Sequence, residues 1–398
     1  MPKSTNTIGQ RIQQMRKGWM TQQELATAAN VSVDVIRKLE QGQRHTATIA
    51  NLHSIANALD RDIADLFGRQ AFPESDAGVQ ALRRAVTDVS DLLGTFEGEA
   101  LTTSQAERRA KYLWGAYWAG QYDLLTSLIP PTLLDLQATL HDANVEDSPK
   151  AADALARAYW VAGCTLAHLH QSDAAFISIR RAVEESKKAN DELLAATLRG
   201  SVSWQFLVAG RYIEAEELAK KTAATIEPSG SVSDPHLSVY GSLIITSATA
   251  AARRKKAQEA NDLLSTSREV ASRIGYDRDD YQTPFGPSQV TMQTVDVGVV
   301  TENYDAAIRA AKEMSANPGL PLAARARHLT DRAFAHLRMG DDEKATKLIY
   351  TIDDLAPDWI QHQTLAKQVA RELRVRQAKK SQRLNDLIRR IGADREIA

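Results

Sequence analysis

The chain has a single cysteine, Cys164, among 398 residues. A lone thiol excludes an intrachain disulfide framework and a four-thiolate zinc site, and it is what a reducing compartment leads one to expect. No apolar run approaches the ~20 residues that a membrane crossing needs, and the N-terminal stretch is polar rather than signal-like, so the expectation is a cytoplasmic protein with no membrane partner. Strand-like alternation is nearly absent. Metal ligation finds little to use: His168 and His170 stand too close in sequence for one helix to aim both at an ion, and His141, His328, His336 and His362 lack ligand-spaced carboxylate or thiol partners. Gly94 and Gly98 do not make a phosphate loop, and no set of nucleophile, base and orienting group stands out. The sequence therefore points away from an enzyme, and it implies no cofactor.

Charge is present in near balance, with 49 Lys and Arg against 50 Asp and Glu, but it is unevenly placed. Residues 1–70 carry nine basic and six acidic residues and residues 367–398 carry ten and four, which leaves the middle at about −10. Positive ends around an acidic body suit contact with a polyanion. For residues 367–398 a solvated basic helix explains the pattern as well.

Nearly every segment has helical periodicity. In the first 70 residues the runs are short: Ile8–Arg16, Gln22–Ala29, Ser32–Gln41, Ile49–Ala58 and Ile63–Phe67. Beyond Pro73 they lengthen, and Gly68, Pro73 and Gly78 mark a boundary. Breakers then fall at Gly120, Pro130/Pro131, Ser148–Pro149, Gly210, Pro228–Pro235, Pro284–Pro287, Asn317–Pro321, Gly340 and Pro357, a spacing that bounds helices long enough to pair as hairpins. The hairpins repeat. Tyr159, Gly163, Leu166, Ala175, Ile179 and Ala182 surround a turn at Gln171–Ser172; Val202, Ser203, Phe206, Gly210, Ala215 and Ala219, then Leu329, Ala333, His336, Gly340 and Ala345, fall in the same frame. Small residues at fixed offsets let paired helices approach closely while larger ones fill the seams. The expected body is a stack of about six helical pairs closed by a terminal helix near Trp359–Gln377.

The sharpest local signal is Thr21-Gln22-Gln23-Glu24-Leu25-Ala26, then Asn30-Val31-Ser32, then Val35-Ile36-Arg37-Lys38-Leu39-Glu40-Gln41-Gly42. Thr21 and Glu24 are placed for a capping box, and Ser32 for the cap of the following helix. Leu25, Ala28, Ile36 and Leu39 are spaced to meet between the two helices. Two helices so joined make a helix-turn-helix, whose second helix enters the major groove.

Residues 8–67 resemble the Cro/C1-type, or XRE, helix-turn-helix of phage repressors, and the body resembles the tetratricopeptide-like sensor body of actinobacterial regulators in that class, in which a motif like Phe285-Gly286-Pro287-Ser288-Gln289-Val290 recurs. The resemblance implies an all-α chain: a five-helix DNA-binding domain over 1–70, a linker helix over 71–100, a superhelical solenoid of repeats over 101–357 and capping helices over 358–398. It also implies site residues. Gln22 would touch a phosphate or brace a neighbouring base contact. Ser32, Val33, Asp34 and Lys38 would face base edges, with Val33 on a thymine methyl and Asp34 accepting from cytosine N4, capping its helix, or steadying Arg37 or Lys38. Arg37 would lie at the backbone, as would Arg44 and His45 just beyond. Arg16 and Glu40 would pair structurally, although this chain has one residue fewer than usual between Arg16 and Thr21.

A hairpin solenoid turns its first helices to the concave side. In the frame above, that wall carries Trp114, Tyr117, Arg157, Trp160, Trp204, Gln289, Asp296, Arg327 and Thr330. Aromatic area with a few fixed polar groups suits a small molecule or an extended peptide, and the same tryptophans also suit seam packing. The expected protein is a transcriptional regulator that binds an operator as a homodimer and senses an effector through its body; a DNA-tethered scaffold that recruits a protein partner fits the same architecture.

Overall fold

The computed structural model describes residues 8–17, 20–43, 49–59, 75–315, 318–376 and 381–393. The chain divides into two compact units between Ala77 and Gly78.

The first unit contains α1 (Ile8–Arg16), α2 (Gln22–Ala28), α3 (Val33–Glu40) and α4 (Ile49–Ala58). The fifth expected run, Ile63–Phe67, lies outside the described residues. Thr21 and Glu24 form the reciprocal capping box: Thr21 N–H donates to Glu24 at 2.6 Å and Glu24 N–H to the Thr21 hydroxyl at 3.2 Å. Asn30 takes the left-handed conformation that turns the chain between α2 and α3 (φ 51°). Ser32 occupies the N-cap of α3, but its hydroxyl makes no capping hydrogen bond, so the capping contact expected there is not formed. Ile12, Leu25, Ile36, Leu39, Leu52 and Ile55 form the core. Ala28 is exposed rather than part of it; the small buried residues of α2 and its end are Ala26 and Ala29, one helical face over. At Gly9 any side chain would collide with the Leu39 carbonyl, so glycine permits the close approach of α1 to α3.

The second unit opens with all but the first residues of α5 (Ser75–Val86) and with the one-turn α6 (Ser90–Leu93), and continues as six antiparallel pairs. They are α7 (Thr103–Trp118) with α8 (Tyr122–Asp142), α9 (Ser148–His168) with α10 (Ser172–Ser186), and α11 (Glu192–Val208) with α12 (Tyr212–Thr225). Then come α13 (Asp234–Arg253) with α14 (Ala257–Ile274), α15 (Pro287–Val300) with α16 (Tyr304–Ala311), and α17 (Leu322–Arg338) with α18 (Asp342–Leu355). Every pair turns through one left-handed residue, in order Gly120, His170, Gly210, Lys255, Glu302 and Gly340. Inside the pairs the repeat frame has a physical cause: a Cβ on Gly163 would lie 2.6 Å from Ile179, and buried serines bind across to the facing helix. Ser178 donates to the Tyr159 carbonyl at 2.6 Å and Ser267 to that of Gly241 at 3.2 Å, while Ser203 donates to Ala215.

Two expectations fail here. Pro130 and Pro131 do not break the chain: α8 runs through them, because Leu125, Ile129, Leu133 and Leu136 bury a continuous apolar face on both sides. Packing outweighs the lost backbone bonds. Between α14 and α15 the chain forms an antiparallel hairpin, β1 (Arg278–Asp280) with β2 (Thr283–Phe285), where only a break was expected. Phe285 then packs on Gly241, which has no side chain to obstruct the ring, and Gly286 passes close to Asp277. The Phe285–Val290 motif is thus a structural corner.

The row of pairs closes on itself. α17 packs against α7, and the short α19 (Pro357–Ile360) lays Trp359 beside Gly120. Gln361 donates to Asp123 at 3.4 Å, and the His362 ring meets the edge of Tyr122. The terminal helix falls close to its expected place, as α20 (Thr364–Arg376), followed by α21 (Gln382–Arg390). Three of their arginines are held by acidic residues of α18: Arg376 of α20 pairs with Asp342, and Arg383 and Arg390 of α21 pair with Asp354 and Asp353. Part of this positive end is thus committed to structural ion pairs.

Candidate functional site

In the first unit α3 shows solvent a mixed face. Ile36 and Leu39 are sunk in the core, which leaves Ser32, Val33, Arg37 and Lys38 outward, with Val33 38% exposed. Asp34 holds Lys38 at 2.6 Å and also pairs with Arg37, so in the free protein it steadies the two cations. These ion pairs hold its carboxyl below the usual range. Gln22 donates to Glu40 at 2.7 Å. Glu40 in turn receives both arms of the Arg16 guanidinium, at 2.7 and 2.9 Å, and the third nitrogen of Arg16 reaches the Met20 carbonyl at 2.9 Å. The shortened bend is thereby tied to the same ion pair that stabilises the recognition helix. Arg44 and His45 lie outside the described residues.

In the second unit the first helices of all six pairs enclose a chamber of about 600 Å³, within the range of small-molecule sites. Of the nine body residues expected on the concave wall, Trp114, Tyr117, Trp160, Trp204, Gln289, Asp296, Arg327 and Thr330 line it. Arg157 does not. Its guanidinium is held by Asp153 at 2.7 and 3.0 Å, donates to Gln282 and covers the Tyr281 ring. It thus props the β1–β2 turn, whose Gln282, Thr283 and Pro284 form part of the wall.

The lining has two characters. The first three pairs supply aromatic rings: Trp114 meets Trp160 edge-on at 4.4 Å, Tyr117 meets Trp118 at 5.1 Å, and His168 stacks on Tyr122 at 4.6 Å. Burial pushes the His168 imidazole down to about 3, so it is neutral. Cys164 is buried among them with its thiol pushed up to about 12, which makes it an inert apolar group rather than a reactive one.

The last three pairs supply charge. Arg327 donates to Asp296 at 3.1 Å and to Asp331 at 3.2 Å; Arg253 reaches Asp296 at 3.2 Å; Gln293 donates to Asp296 at 2.8 Å. Burial would raise the Asp296 carboxyl, but the two arginines hold it low. Asp331, buried and beside Asp296, is pushed up to about 6. Sequence reasoning missed Arg253, Gln293 and Asp331, although Gln293 and Asp331 stand four residues from Gln289 and Arg327, one helical turn along the same faces. Six polar atoms of other lining residues, Trp118 Nε1, Trp160 Nε1, Ser242 Oγ, Gln289 Oε1, His362 Nε2 and Gln363 Nε2, are buried without a hydrogen-bond partner among the described residues. Among the described residues, no group of three or more His, Cys, Asp or Glu side chains is placed to hold a metal, and no helix is long and apolar enough to cross a membrane.

Residues 12–66 match the helix-turn-helix family. The N-terminal unit is thus a helix-turn-helix unit, and the body is a tetratricopeptide-like helical repeat. No curated protein matches the chain. Solved structures with a detectable likeness include PlcR of Bacillus thuringiensis in complex with the peptide PapR7 and DNA, 10% identical over 77% of this chain and 95% of that one, with a TM-score of 0.32. A Rap protein complexed with Competence and Sporulation Factor is 12% identical over 89% and 99% of the two chains, with a TM-score of 0.44. The apo form of the competence regulator ComR from Streptococcus vestibularis is 12% identical over 81% and 97%, with a TM-score of 0.29.

Proposed function

We propose that the chain is an XRE-type transcriptional regulator, of the actinobacterial kind that the Phe285–Val290 motif resembles, whose first unit reads operator DNA and whose body senses a small molecule or short peptide. One observation carries the reading: a helix-turn-helix unit whose α3 has an exposed polar face is joined in one chain to a chamber lined by the first helices of all six pairs. A single recognition helix reads only a short half-site, so the operator is pseudo-palindromic and the protein acts as a homodimer. Lys38 and Val33 face base edges. Asp34 keeps the cations in place, and Arg37 with Arg44 and His45 lies along the sugar-phosphate backbone. An effector in the chamber regulates only by binding one arrangement of the body more tightly than another. The test is binding of the full chain to duplex from its own upstream region and to random duplex of equal length at physiological salt. A preference of at least a hundredfold is expected, since specific sites exceed non-specific ones by about 10³ or more; equal binding overturns the proposal.

A further inference from the structure

The four charges of the chamber sum to zero, yet a ligand does not meet them equally. The Asp296 and Asp331 side chains are only 8% and 2% exposed, whereas that of Arg327 is 42% exposed and that of Arg253 22%. The acids are sunk behind the guanidinium groups that they orient. Arg327 spends Nε on Asp331 and one terminal nitrogen on Asp296, which leaves Nη1 without a partner among the described residues. A fork already fixed on two sides has lost its rotamer freedom before a ligand arrives. The wall that a ligand meets in this half is therefore cationic and preorganised.

We infer that the chamber takes a carboxylate bearing an aromatic or bulky apolar group, with the carboxylate on Arg327 and the apolar group among Trp118, Trp160 and Trp204. This rests on the proposed sensing role of the body and names the chemistry of its ligand. A monoanion is favoured over a phosphate dianion because the quartet holds no surplus positive charge, so each further negative charge enters the chamber uncompensated. An amine is disfavoured because the only exposed charges are guanidinium groups.

Five of the six tryptophans line the chamber, so intrinsic fluorescence reports its occupancy in the full chain. The probes are 3-phenylpropionate, 3-phenylpropionamide and 3-phenylpropylamine, together with Gly-Gly-Gly-Phe bearing a free or an amidated C-terminus, titrated at neutral pH. At least one carboxylate is expected to bind ten times more tightly than its amide, and the amine more weakly still. Selectivity in the small acid points to a metabolite, and in the peptide to a chain terminus. Arg327→Gln should bring the acid down to the affinity of the amide while leaving the amide unchanged, so the amide controls for the fold. Asp331→Asn should leave the acid's advantage in place. Amide or amine binding as tight as the acid overturns the charge assignment and leaves the sensing chamber standing; no binding by any probe at millimolar concentration sinks both.

Discussion

Asp34 and Glu40 lie on the recognition helix and its end, and their environments give them different work. Glu40 is buried, which alone would raise its carboxyl, but the hydrogen bonds from Arg16 and Gln22 outweigh that and hold it below its ordinary value of 4.5. A depressed carboxyl contributes stability that is complete above its unfolded value and lost as pH falls through the folded one. The helix-turn-helix unit should thus weaken below pH 4.5, with hydrogen exchange in α1 to α3 accelerating. Glu40→Gln should abolish that acid step and cost about 3 kcal/mol at neutral pH, because it strands the Arg16 charge in a mostly buried place. Undiminished protection in the variant would show that the pair is ornamental. Asp34 is solvent-exposed and pairs with Lys38 in the free protein, so on the proposed reading Lys38 exchanges a carboxylate for a base edge on binding. Lys38→Ala should therefore reduce discrimination between operator and random duplex by about 1–3 kcal/mol, measured by competition titration. A uniform loss on both duplexes would place Lys38 on phosphates instead. Both arrangements were legible in part, the Arg16–Glu40 pair from resemblance and the Asp34 contacts as one of three alternatives, since i, i+3 and i, i+4 neighbours on a helix are fixed by geometry.

The six hairpin turns show where reading a periodic sequence succeeds and where it stops. Gly120, Gly210 and Gly340 announced themselves as breakers, but the equivalent turns at His170, Lys255 and Glu302 use residues with no turn signature, and only the frame of the neighbouring helices locates them. The β1–β2 hairpin was illegible for a related reason: its two central residues, Tyr281 and Gln282, both have positive φ, a conformation that usually selects Asn and Gly. Tertiary bonds supply what local preference does not, with Tyr281 donating to Asp191 at 3.0 Å and Arg157 bracing Gln282. Pro130 and Pro131 misled in the opposite sense, being strong local signals overridden by a long apolar face. The turn positions yield a direct test. Lys255→Gly and Glu302→Gly should each stabilise the body by about 0.5–1 kcal/mol, by removing the left-handed strain of a residue with a Cβ. Gly210→Ala and Gly340→Ala should cost a similar amount, and purely through the backbone, because a Cβ at either site would meet nothing within 4 Å. Thermal melts of the four variants check the signs; stabilisation by the alanines would mean that the turns are not left-handed in solution.

Each of the two compact units has its own core, with Ile12, Leu25 and Ile36 in one and the aromatic and aliphatic residues from Leu82 onward in the other. The first is small and, among its described residues, carries few exposed large apolar groups, so we expect pairing to run through the body, and light scattering on the full chain at tens of micromolar should give a dimer. A monomer there would remove the reason to expect a two-fold operator. The separate cores also bear on unfolding, because cooperativity extends only as far as packing is shared. Five of the six tryptophans line the chamber and report the body, whereas far-ultraviolet circular dichroism reports the helices of both units. The two probes should therefore give transitions that do not coincide. Ring closure sharpens the test, since Trp359 is buried against Gly120 where the last helices meet the first pair. Trp359→Ala should cost about 3–5 kcal/mol, and the loss should move the fluorescence transition and the body's share of the dichroism transition, with protection of α1 to α3 against hydrogen exchange unchanged. If that protection fell as well, the chain would be one cooperative block. An effector in the chamber would then act on the DNA-reading unit through shared packing, rather than by changing the arrangement of a dimer of bodies.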